Sequence, residues 1–317
     1  MRSLLKHSAV AVVALAAVAA AFLMPTEGQA QENKAPAPTK AAPAKAAPAK
    51  AAAYKAPRAK DGKPNLNGIW QSINTANWNL EAHGASMPVE PKLGAMFAVQ
   101  PGQSVVVEGT IPYLPGGVEK RDANFKNRIN REGGDGENKC FMTGVPRANY
   151  MPYPFQIIQG TTGIMIVYEY AGAVRVINMG APTKAPADSW MGWSNGRWDG
   201  ESLVIDVTSL NEDAWFDRAG NHHSNQLHVV ERYTPRSADT MIYEARIEDP
   251  KTFSRPWTIR FPLYRRVEEN ARIMEDKCVV FAEELLYGHL RKPADAPAPP
   301  PAPAQGKQGK GKGKQVK

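Results

Sequence analysis

Cysteine is nearly absent. The 317 residues hold two, Cys140 and Cys278, too few for a thiolate metal site and not a Cys-x-x-Cys redox pair. In an oxidising compartment the simplest use of two thiols is one disulfide, and closing so long a loop contributes about 4–5 kcal/mol by the chain-entropy argument. Catalytic signatures are missing as well. No Gly-x-Ser-x-Gly elbow, His-Glu-x-x-His helix, glycine-rich phosphate loop or dinucleotide fingerprint occurs. Serine-hydrolase, zinc-protease, phosphate-loop and dinucleotide chemistries therefore lack their sequence supports.

Long apolar runs are equally scarce. Past Met24 nothing approaches the roughly 18 apolar residues of a transmembrane helix. The single long run, Ser8 to Met24, follows Arg2 and Lys6 and precedes the small-residue stretch Gly28-Gln29-Ala30. It reads as a signal peptide over residues 1–30, cleaved before Gln31, with an uncleaved anchor as the alternative. A periplasmic or secreted protein is expected.

The folded part also lacks net positive charge. Of the formal +8, segments 1–60 and 292–317 together carry +12, which leaves −4 over 61–291. A basic face for nucleic acid is therefore not expected. Residues 31–60 are Ala, Pro and Lys, with AAPAK repeated at 41–45 and 46–50, and residues 292–317 run from Pro-rich to Gly/Lys-rich. Such composition buries too little apolar surface to order itself. Both segments read as disordered spacers, or as tails making weak contact with an anionic envelope surface.

What remains, 61–291, reads as one all-β domain. Leu203, Ile205 and Val207 alternate with Val204, Asp206 and Thr208, and Met241 to Glu248 and Trp257 to Tyr264 repeat the two-residue period. Earlier strand-like runs are 155–159, 164–170 and 174–179. Shorter candidates are Val105 to Val107 and Cys278 to Phe281. Period-two segments joined by short turns predict an antiparallel meander of eight to ten strands, closed into a barrel, which Gly-x-Trp at residues 68–70 would make lipocalin-like, or folded into a sandwich. Gly68-Ile69-Trp70 opens it in the lipocalin manner, and Asp199-Gly200 suits a two-residue type I′ turn. Residues 73–150 read as a long irregular insertion, with one short helix between Met87 and Val99. Ala282 to Gly288 suits a short C-terminal helix.

The order of segments resembles a large group of exported bacterial proteins of unassigned function. The residues that carry the resemblance are Gly68-Ile69-Trp70, Cys140 with Gly144-Val145-Pro146-Arg147, and Pro152-Tyr153-Pro154. Further on they are Gly196-Arg197-Trp198 with Asp206, then Asp217, Gly220, His223-Ser224 and Glu231-Arg232. The resemblance implies a barrel-like fold and export, and no activity.

Chemistry-bearing residues concentrate between Trp190 and Tyr233. Strand alternation puts Leu227, Val229, Glu231 and Tyr233 on one face, so Glu231 is either a carboxylate poised for acid–base work or half of a buried pair with Arg197 or Arg260. His223 and Asp217 complete a candidate acid–base set with it. His222, His223, His228 and Asp217 could offer ligands to a divalent metal, although their spacing fits no recognised motif. Ser224 beside His223 is a candidate polar contact. Trp190, Trp193, Trp198 and Trp215, with Tyr153, Arg197 and Arg232, could line a pocket for a small, partly apolar ligand. Asp206 and Arg197 suit a cross-strand pair. Three readings stay open: a small-ligand-binding barrel, an acid–base enzyme (lyase, isomerase or hydrolase) using His223 and Glu231, and an envelope scaffold attached through its Lys-rich tails.

Overall fold

Segments of period-two alternation become the wall of a closed barrel. The computed structural model describes residues 54–86, 99–128, 130–287 and 289. The leader over 1–30, most of the linker, the helix expected over 87–98 and the tail over 292–317 lie outside the described residues. Nine strands follow one another: β1 (Gly68–Ser72), β2 (Phe155–Gln159), β3 (Ile164–Tyr168), β4 (Val174–Asn178), β5 (Trp193–Asp199), β6 (Ser202–Thr208), β7 (His228–Pro235), β8 (Thr240–Glu248) and β9 (Trp257–Arg265). Each pairs with its neighbour in chain order, and β1 also pairs with β9. Closure, rather than a sandwich, removes both open edges.

Alternation decides what fills the barrel. In β7, β8 and β9 every second residue is buried. Val229, Tyr233, Met241, Tyr243, Ile247, Trp257, Ile259, Phe261 and Leu263 thus meet inside, against Trp70, Phe155, Ile157 and Ile166 from the early strands. Burying each such side chain stabilises the fold by about 1.5–3 kcal/mol. Trp70 donates its indole N–H to the Leu66 carbonyl at 3.0 Å, and the Arg265 guanidinium lies 4.3 Å over its ring.

Several expectations need correction. The sheet is not antiparallel throughout, because β4 and β5 run parallel and share only two register pairs, Ile177 with Ser194 and Asn178 with Asn195. The chain between them, Met179 to Gly192, is long enough for the crossover that parallel pairing requires. The β5–β6 turn sits one residue later than Asp199-Gly200. Asp199 pairs with Ser202, so Gly200 and Glu201 form the loop, and Gly200 alone takes positive φ, at 59°. That is the φ pattern of a type II′ turn rather than type I′. Val106 forms only an isolated bridge to Ile259, and residues 278–281 form no strand, running irregularly into a turn at 280–281 that leads into a helix.

The insertion between β1 and β2 is ordered where it is described. It holds helix α1 (Gly117–Asn127) and two short 3-10 turns, Gly136–Lys139 and Arg147–Asn149. Leu80, Val105, Ile111, Val145, Ala148 and Tyr150 from this insertion join the barrel core. α1 buries none of its own side chains, and the α1 backbone approaches Gly220 (φ 91°) so closely that a Cβ there would sit 2.4 Å from the Arg121 carbonyl oxygen. The disulfide forms as expected, Cys140 to Cys278 with Cα atoms 5.7 Å apart, and ties the insertion to the segment before α2 (Ala282–Tyr287). At the other end of the chain, residues 54–60 lie on the β5–β6 hairpin, where Ala56 is buried and Arg58 pairs with Glu201 at 2.5 Å. No helix among the described residues is long and apolar enough to cross a membrane.

Candidate functional site

Among the described residues, one ion pair lies inside the barrel. Glu231 faces inward from β7, fully buried, and meets the guanidinium of Arg175, which faces inward from β4 and is 2 % exposed. The other carboxylate oxygen, Oε1, accepts from Asn149 Nδ2 at 2.9 Å, from the Tyr243 hydroxyl at 2.8 Å and from the Tyr233 hydroxyl at 3.1 Å. Asn149 Oδ1 in turn lies 3.2 Å from the hydroxyls of Tyr168 and Tyr233. Burial pushes Tyr168 up to about 12 and Tyr233 and Tyr243 well above the ordinary phenol value. The three phenols therefore stay protonated and act as donors. Arg175 Nε donates to Ser194 Oγ at 2.8 Å, whereas Nη1 has no partner among the described residues. Burying such a pair costs least when its remaining lone pairs and protons are used; here the carboxylate accepts four hydrogen bonds, while Nη1 of the arginine is left over. The expected alternative, a buried pair, is what forms, but with Arg175. Arg197 is exposed on the outer face, and Arg260 faces Glu244 at 3.7 Å there.

The loop between β6 and β7 closes one end of the barrel. Phe216 packs edge-on against Trp257 at 5.7 Å, and Trp215 is buried beside it. Asp217 turns back on its own segment, accepting from the backbone N–H groups of Ala219 and Asn221, from Asn221 Nδ2 at 2.6 Å and from Leu80 N–H at 2.9 Å. Burial pushes Asp217 up to about 6, against these donors. His223 packs on Phe216, with Nδ1 3.0 Å from the Ser224 carbonyl oxygen. Ser224 Oγ donates to Asp249 at 2.8 Å rather than to an imidazole. His223, Asp217 and Glu231 thus sit in three separate hydrogen-bond networks. His228 stands on the outer face beside Asp206 at 3.1 Å, taking the partner expected for Arg197. Among the described residues no three His, Cys, Asp or Glu side chains gather so as to hold a metal ion.

His222 stacks on Tyr113 with ring centroids 5.2 Å apart, and burial, aided by Lys120, pulls its pKa from 6.5 down to about 4. Because the folded value lies below the unfolded one, the stability due to neutral His222 is complete above pH 6.5 and is lost as the pH falls through about 4. Asp217, shifted upward, works in the opposite sense, its contribution being complete at low pH and lost as the pH rises through about 6. His222→Phe keeps the ring stack and removes the proton site. Urea unfolding between pH 7 and pH 4 should therefore show a smaller acid loss than in the parent, and an unchanged loss would count against the assignment.

A second buried charge cluster fastens the insertion to this cap. Arg147, 1 % exposed, reaches Asp135 at 2.8 Å, Glu137 at 2.6 Å and Asn77 Oδ1 at 2.8 Å. Arg218 forks onto the same Glu137 at 2.6 and 2.7 Å, while its guanidinium stacks 4.1 Å over Trp78. Burial pushes Glu137 up, but the guanidiniums of Arg218 and Arg147 outweigh it and hold the carboxyl down at about 2.

The space that could take a ligand lies elsewhere. Where β4 and β5 diverge beyond their short parallel pairing, an open groove of about 600 Å³ is lined by Met142, Val174, Arg175, Val176, Asn178, Thr183 and residues 189–194. Trp190 and Trp193 stand in its wall. Trp193 donates its indole N–H to Thr183 Oγ1 at 3.0 Å, and the Trp190 ring lies 5.0 Å from that of Phe141. Asn178 holds the crossover in place through the Ala181 carbonyl at 2.8 Å and Asn195 Oδ1 at 3.0 Å. A neighbouring crevice of about 10 Å³, lined by Tyr153 and Tyr170 among others, is too small for more than a water.

Of the residues singled out from sequence, Trp190 and Trp193 line the groove. Trp215 and Ser224 belong to the barrel cap, Tyr153 to the small crevice, Arg197 to the outer surface, and Arg232 to an exposed pair with Asp199 at 2.6 Å. Sequence reasoning missed Arg175, Asn149, Tyr168 and Tyr243, and the two methionines of the groove. One signal was present, because Tyr233 and Tyr243 face one another across β7 and β8 on the same side as Glu231. Comparison with models of known protein families, with curated proteins and with solved structures found no match.

Proposed function

We propose that this protein is an exported barrel that binds a small, partly apolar ligand in the groove between β4 and β5. The observation that carries the reading is the groove itself: about 600 Å³, walled by Trp190, Trp193, Met142 and Met191. That volume lies within the roughly 300–1,000 Å³ of small-molecule sites, and the lining has their usual character of aromatic and aliphatic walls with a few polar groups. Trp193 is held in place by its bond to Thr183, so a ring can stack on it with little loss of side-chain entropy. The Cys140–Cys278 disulfide supports export, since such bonds persist in oxidising compartments.

The test uses N-phenyl-1-naphthylamine, an uncharged aromatic whose fluorescence rises on leaving water. Saturable binding to the parent protein is expected, with Trp193→Ala weakening it about tenfold, as for a central aromatic contact. Equal binding by parent and variant would move the site away from this groove. Native mass spectrometry of protein taken from its own cell envelope would then identify the retained molecule.

A further inference from the structure

The groove does not end at its rim. Val176, which lines it, is 70 % exposed on the outer face of β4. Register places Met165 of β3 directly beside Val176, and Ile158 of β2 directly beside Met165. Both are also exposed on that outer face, at 36 % and 39 %. The row is continuous with the groove and crosses three strands at about 4.8 Å per strand. Outward apolar residues in adjacent strands form a patch of the kind that marks binding. Val174 and the half-buried Val167 stand beside them on the same face, and even these five side chains fall far short of the roughly 800 Å² per partner that a stable protein interface buries. The patch is a short track running from the groove, not a broad face.

Charge narrows the occupant further. Among the described residues that line the groove, Arg175 alone is charged, and its guanidinium is turned inward onto Glu231. The pair is neutral as a whole, so the wall offers an anion no net attraction, and a carboxylate entering it would lose water without gaining a cation.

We propose that the occupant is an uncharged amphiphile, with a ring lodged between Trp190 and Trp193 and an apolar chain laid across β4, β3 and β2 over Val176, Met165 and Ile158. This rests on the groove being the ligand site. Sequence patterning agrees: β4 reads Val-Arg-Val, and its two valines point out to the groove and track while the arginine points in.

The experiment is a titration of alkyl phenyl ketones from acetophenone to decanophenone, kept below their aggregation limits and followed by the tryptophan indole N–H chemical shifts. Affinity should rise about two- to fourfold per methylene over the early members, as expected for burial of each CH₂, and level off once the chain passes Ile158. Ile158→Ser/Met165→Ser changes exposed positions outside the groove lining. It should leave acetophenone binding unchanged and flatten the rise with chain length. A 4-alkylbenzoate of matched length should bind at least about tenfold more weakly than the ketone. A flat series in the parent overturns the track while leaving the groove as the site. A benzoate that binds more tightly than its ketone overturns the uncharged head. Failure of every ketone and of the naphthylamine to bind removes the groove reading itself.

Discussion

Arg175→Met is expected to destabilise the protein by about 3–5 kcal/mol, and Glu231→Gln by a similar amount, because each leaves one charge buried without its counterpart. The double variant should recover most of that loss. Gln keeps an acceptor oxygen for Tyr243 and Asn149, whose bonds to Glu231 measure 2.8 and 2.9 Å, so the hydroxyl and amide are not orphaned when the charges go. A double-mutant cycle read by urea unfolding and tryptophan fluorescence should therefore give strong coupling, at least about 2 kcal/mol. Additive losses would show that the two side chains act independently and would sink the ion-pair account.

The second large effect belongs to Arg147. Arg147→Met removes the cation from Asp135, bound at 2.8 Å, and strips Glu137 of one of its two guanidiniums. The expected cost is again about 3–5 kcal/mol. Arg218→Ala should cost less than Arg147→Met, because Arg218 is 27 % exposed and water can enter the place it leaves, whereas Arg147 is then shared between Asp135 and Glu137. The pH dependence carries the sign of a depressed carboxyl. Glu137 titrates near 2 when folded against 4.5 as an ordinary Glu, so its contribution is complete above 4.5 and is lost as the pH falls through about 2. In Arg147→Met that acid loss should shrink. Unfolding midpoints at pH 7, 4 and 2.5 for the parent and both variants decide the point. Equal costs for Arg147→Met and Arg218→Ala would contradict the burial argument.

What could be read in the residues follows the physics of each element. β7 to β9 were legible because one face of each is dry and the next residue is wet, a period that no helix reproduces. The disulfide was legible from the count of cysteines and the expected compartment. Glu231 was legible as buried, because its strand neighbours Val229 and Tyr233 share its face. Arg175 was not. In Val174-Arg175-Val176 the apolar residues are 52 % and 70 % exposed and the charge is buried, the reverse of the ordinary rule, because the valines line the groove and the arginine answers a carboxylate two strands of sequence could not locate. The cluster at Arg147 was hidden for a related reason. Its partners come from residues 77, 135, 137 and 215, joined only once the insertion folds back over the barrel end. Period and composition speak to local facing, and neither speaks to which distant charges meet. The groove depends on a crossover that yields parallel pairing, and nothing local in residues 179–192 announces that direction.

The joint between β4 and β5 has a mechanical consequence. β7 and β8 are laced together at eight register positions, whereas β4 and β5 are laced at two. A hoop parts first at its thinnest rivet line, so thermal breathing of this wall is concentrated along one seam instead of being spread around the circumference. The same seam is flanked by the inward Arg175 and its bond to Ser194, a strut from β4 to β5 that resists the parting. The barrel is therefore a clasp as much as a container, with its catch located beside the groove.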